Sequence, residues 1–166
     1  MKDSIRYMQD VLGLQTVMIS SSSKSEEGQT HTRFFLPEGP YKPTELQYYE
    51  LIFLNILTQK KESLFRSEVQ ALFEKMKTAM RIKNIRYVEL DCTVEDRSKL
   101  PSELARLCES KVVVVFSSFP KDLGEMIYKG PGSWLETYSP AYLLEDAGAK
   151  KVVWNDLQKV MKELSL

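Results

Sequence analysis

The chain holds few residues of the types that carry chemistry alone. Among its 166 residues there is one histidine, His31, and there are two cysteines, Cys92 and Cys108. His31 stands in a polar stretch that reads as a linker, which makes it an exposed, solvated residue rather than a base. Two cysteines far apart in sequence read as reduced, buried thiols of a reducing compartment. Four iron ligands would require four thiolates, so no iron–sulfur cluster is expected and no other cofactor is implied. Chemistry must then come from oxygen and amide groups. In an alternating α/β chain such groups act where the strands end, here Leu54–Leu57, Leu90–Cys92, Phe116–Ser118 and Thr137–Pro140.

The elements that would position those ends are legible in the apolar pattern. Tyr49 to Leu57 and Lys111 to Phe116 are nearly continuous apolar runs, as in strands buried on both faces. Ile85 to Leu90 and Trp134 to Tyr138 are further strands, and Leu14 to Ile19 alternates. Arg66 to Met80 carries Val69, Leu72, Phe73, Met76, Ala79 and Met80 at helical steps. Pro101 to Cys108 and Lys121 to Tyr128 read as short helices, and Gly130-Pro131-Gly132 as a turn. A last helix from about Ala147, with Asp146 as N-cap, buries Val153, Leu157, Val160, Met161 and Leu164. Its outward residues are expected to be Lys150, Lys151, Asp156, Lys159 and Glu163.

The expected fold class is therefore α/β in three layers, a central, mainly parallel four-stranded sheet with helices on both faces. Residues 1–45 read as an N-terminal extension and linker, with the Ser-rich run Ser20 to Ser25, and residues 46–166 as the domain.

Lys+Arg and Asp+Glu both number 23, a balance that argues against strong unaided DNA binding. The basic stretch Lys75, Lys77, Arg81, Lys83 and Arg86 reads as a solvated helix end, and Tyr41, Tyr48 and Tyr49 as core and sheet-edge residues. No apolar run reaches membrane-spanning length and no signal core precedes residue 30, so a cytoplasmic location is expected.

The order of these pieces over residues 46–164, and above all the string from Trp134 to Leu164, resembles the uracil-DNA glycosylases, most closely the iron–sulfur family. That family's last loop reads Thr-Tyr-His-Pro, with a catalytic His; here it is Thr137-Tyr138-Ser139-Pro140. The Gly-rich first loop is matched by Asn55-Ile56-Leu57-Thr58-Gln59, without its acid or glycines. The base-reading Asn is matched by Asp91, which as a carboxylate cannot both donate and accept. The resemblance thus implies a degenerate site at Asn55, Asp91 and Ser139, with Phe65, Tyr138, Ser139 and Pro140 around the former pocket and useful excision activity lost.

A second resemblance is to the psi subunit of the bacterial DNA polymerase III clamp loader, a glycosylase-like fold without the chemistry. Tyr7 stands five residues before Leu12-Gly13-Leu14. The likeness implies a bacterial cytoplasmic scaffold for DNA replication or repair. Tyr7, Met8, Leu12, Leu14 and Val17 would anchor a protein partner such as the clamp loader, with DNA contact weak or indirect. Two other expectations stand beside it. One is an active glycosylase using Ser139 with Asp91; the other is a small nucleotide- or base-binding module.

Overall fold

The structure, a computed structural model, describes residues 16–19, 32–36 and 46–166. His31, Tyr41 and the expected anchors Tyr7, Met8, Leu12 and Leu14 lie outside the described residues; Val17 falls on the first strand. Seven strands are described: β1 (Thr16–Ile19), β2 (Arg33–Leu36), β3 (Gln47–Ile56), β4 (Tyr87–Thr93), β5 (Cys108–Ser117), β6 (Met126–Lys129) and β7 (Gly132–Tyr138). The helices are α1 (Ser67–Met80), α2 (Leu100–Ala105), α3 (Pro140–Glu145) and α4 (Lys150–Glu163).

The strands form one mixed sheet in the order β1-β2-β4-β3-β5-β7-β6. This is larger than the four-stranded sheet expected. β3 pairs in parallel with β4 and β5, and β5 with β7. β1, β2 and β6 join antiparallel at the two edges. β1 and β2 lie within the stretch read as an extension and linker, yet they continue the sheet beside β4, and Phe34 and Phe35 are fully buried.

Alternation along the inner strands separates two cores. Leu51, Phe53, Val112, Val114, Phe116 and Leu135 pack with α1, α3 and α4. Ile52, Leu54, Val113, Val115, Leu90 and Trp134 pack with Leu100 and Leu104 of α2 on the other face. Covering both faces is the physical reason these strands lack polar alternation. In the first core, Phe53 stacks on Phe116 at 5.9 Å and meets Phe73 edge-on at 4.9 Å.

Several local expectations are corrected. Lys121 to Tyr128 is not a helix: its second half is β6. Gly124 takes φ +73, which interrupts any helix there, and Gly130-Pro131 then turns the chain back, with Gly130 at φ +59 as the first central residue of a primed hairpin turn. The residues after Ser139 form helix α3. The Ser139 hydroxyl accepts from the Tyr142 amide at 3.1 Å, and Pro140 occupies the first turn. The final helix begins at Lys150, after a 3-10 turn (Ala147–Ala149) that Asp146 caps. Asp156 does not face out: it is buried beneath β7, bonded to the Thr137 hydroxyl and to Lys159. Lys77 leaves the solvated basic stretch for a buried place between Glu74 and Glu89. Trp134 is in the core, whereas Trp154 is on the exposed side of α4.

Candidate functional site

Asn55 is the next-to-last residue of β3, on the face that carries Leu51 and Phe53. Its register partners are Asp91 on β4 and Phe116 on β5. After β3 the chain runs to one side through α1 into β4, while β5 returns on the other side. The order of connection reverses at β3, so the crevice between the loops following β3 and β5 is the topological switch point, where α/β sheets bind ligands.

The loop 57–66 folds back over these strand ends and carries a 3-10 turn, Lys60–Glu62. Asp91 grips it from beneath. One carboxylate oxygen accepts from the Asn55 amide at 2.8 Å and from the Leu64 backbone at 3.1 Å; the other accepts from the Ser63 hydroxyl at 2.5 Å. Asn55 donates its second proton to the Glu62 carbonyl at 2.9 Å. The buried Asn55 Oδ1 has no hydrogen-bond partner among the described residues.

Glu62 forms a second node. Its Oε2 accepts from the Thr58 amide and hydroxyl and from the Gln59 amide, at 2.6, 2.7 and 2.9 Å, and its Oε1 accepts from Ser118 at 2.7 Å. Ser118 in turn lies 3.5 Å from the Ser139 hydroxyl.

The two carboxylates differ electrostatically. Burial pushes Asp91 up to about 6, with repulsion from Glu89 adding to it, and the three donors only partly offset this. For Glu62 burial also opposes ionisation, but the bonds from Ser118, Thr58 and Gln59 win and hold it below the ordinary value. Burial raises the Cys108 thiol to about 12, and burial with the nearby Asp91 charge raises Cys92 as well, which suppresses the thiolate at both. They are free and buried.

The expected site residues thus come together in part. Asn55 and Asp91 touch, and Ser139 joins them only through Ser118 and Glu62. Ser139 is 1% exposed and already serves as a helix cap. Tyr138 stacks on Tyr142 at 4.6 Å, Pro140 is buried, and Phe65 packs against the core. Beside them opens a groove of about 170 Å³ whose walls include Lys61, Glu62, Arg66, Ser118, Tyr142 and Glu145.

Glu62 and Ser63 escaped the sequence reading, while Ser118 belongs to the strand end Phe116–Ser118 that it singled out. The signal for Glu62 was the Gln59-x-x-Glu62 spacing, in which the Glu62 carboxylate reaches back to the Gln59 amide at the start of the turn. An acid does return to the strand ends, later in the loop than the Asn55–Gln59 stretch where it was judged missing. Among the described residues no group of three His, Cys, Asp or Glu could hold a metal ion, and no helix is long and apolar enough to cross a membrane. Compared with protein-family models, with curated proteins and with solved structures, the chain matches none.

Proposed function

We propose that the protein is a catalytically degenerate, uracil-DNA glycosylase-like α/β domain that acts as a non-enzymatic scaffold in DNA replication or repair. The observation that carries this reading is the use made of Asn55, Asp91 and Ser139. All three are buried and hydrogen-bonded to neighbours of the same chain. A leaving base would need a preorganised donor aimed at it, and removing one such donor alone slows related reactions by about 10²–10³-fold. The psi-like reading adds a protein partner of clamp-loader type, held by the N-terminal residues Tyr7, Met8, Leu12, Leu14 and Val17.

The test is excision from single- and double-stranded uracil-containing oligonucleotides at high protein excess, beside Ser139→His, with a clamp-loader pull-down using the full chain and a Tyr7→Ala/Leu12→Ala variant. No excision, together with capture that the double variant loses, is the expected result. Excision by the wild type would overturn the scaffold reading.

One observation favours the runner-up, an active glycosylase with a rewired site: the Glu62 carboxylate and the Ser118 hydroxyl both border the groove. Under that reading Glu62→Gln abolishes excision while the fold, followed by circular dichroism, is retained.

A further inference from the structure

Asp91 is fully buried, and every group that hydrogen-bonds it is neutral: the Asn55 amide, the Ser63 hydroxyl and the Leu64 backbone N–H. Two of these three donors belong to the loop 57–66. The same loop supplies Lys61, Glu62 and Arg66 to the groove wall. We propose that this loop is a proton-controlled lid over the strand ends, closed when Asp91 is neutral and driven toward opening when Asp91 is charged.

The charged groups around Asp91 leave its burial uncompensated. β3 presents the neutral Asn55, and β2 runs alongside with Phe35 in register. On β4 itself, Glu89 is bonded to Lys77 of α1, and Arg97 beyond the strand is bonded to Glu136. Within the loop, Glu62 is satisfied by Thr58, Gln59 and Ser118, Lys61 pairs with Glu145 of α3, and Arg66 is exposed.

The sign follows from linkage. In the closed state burial holds Asp91 at about 6, and hydration after opening returns it toward its ordinary 3.8. A carboxyl that binds its proton more tightly in the closed state favours closure at low pH. Opening therefore increases as pH rises from about 4 to about 6 and levels off above that, by up to about 100-fold in all, since each unit of difference is a factor of ten. Glu62 titrates below its ordinary value and so responds in a lower pH window. Opening would reshape the groove and uncover Asn55 and its orphan Oδ1, whichever reading of the function survives.

The experiment is amide hydrogen exchange of the full chain between pH 5 and pH 8, corrected for intrinsic exchange, on wild type and Asp91→Asn. Over this range the Leu64 amide is expected to lose about 10-fold of protection in the wild type and almost none in the variant, while Val114 in the central strand holds steady. Equal losses at Leu64 and Val114, or no loss at Leu64, would overturn the lid. Carbon-13 titration of the wild-type Asp91 carboxyl needs no variant: a midpoint near 6 supports the lid, and one below 4.5 sinks it.

Discussion

Two buried aspartates show how differently the two halves of this sheet handle charge. Asp156, on α4 beneath β7, accepts from the Thr137 hydroxyl at 2.8 Å and from the Lys159 ammonium at 3.1 Å. Lys159 also donates to the Gly124 carbonyl, so one cation ties helix, strand and turn together. Asp91, at the end of β4, has only neutral donors and a like charge in Glu89. Both residues are almost fully buried, yet one has a counter-ion and the other does not. A paired carboxylate reads as architecture. An unpaired one works against stability, and such groups concentrate where a protein needs motion or function.

The sharpest way to break this comparison is the pH dependence of Asp91→Asn. The folded-state value near 6 lies above the ordinary 3.8, so the wild-type carboxyl favours folding below 3.8 and loses that advantage as pH rises through 6. Asn keeps the shape without the charge. Against wild type, Asp91→Asn is expected to be stabilising by up to about 3 kcal/mol at pH 8 and about neutral near pH 4, measured by urea unfolding at both pH values. A destabilised variant at pH 8 would erase the distinction between the two aspartates.

The counterpart is Asp156→Ala. It strands the buried Thr137 hydroxyl and frees a half-exposed Lys159, for a loss of about 2 kcal/mol in urea unfolding. The smallest effect tests the scaffold reading. Ser139→Ala removes the α3 cap and should lower stability by about 1 kcal/mol, seen as a drop in thermal midpoint, with no change in any base excision.

Much of the architecture was legible because burial on two faces leaves a mark in composition. The runs around Phe53 and Val114 carry no polar alternation, and the stripe Val69-Phe73-Met80 has the helical period. What escaped was local and depended on backbone sign or on a distant partner. Gly124 and Gly130 convert an apparent helix into a hairpin by taking positive φ, which the apolar spacing of Met126 and Ile127 does not reveal. The helix after Ser139 carries its own local signal, a capping serine followed by a first-turn proline. Asp156 looked like an outward charge because its partner, Thr137, lies on another element.

The site divides the same way. Asn55, Asp91 and Ser139 could be nominated because each closes a strand, and strand ends follow from the apolar pattern. Glu62 and Ser63 could not, because they reach those ends only when the loop 57–66 folds back; Ser118 closes a strand end, but its partner Glu62 arrives with the loop. Sequence alone determined an alternating α/β chain, a C-terminal amphipathic helix, and the residue types at each strand end, since these follow from periodicity and local propensity. Tertiary structure alone decided that β1 and β2 extend the sheet, that Asp156 is paired, and that Asp91 is buried without a cation. Those outcomes depend on which segments meet in space, and the desolvation of a carboxylate is set by that meeting rather than by its neighbours in the chain.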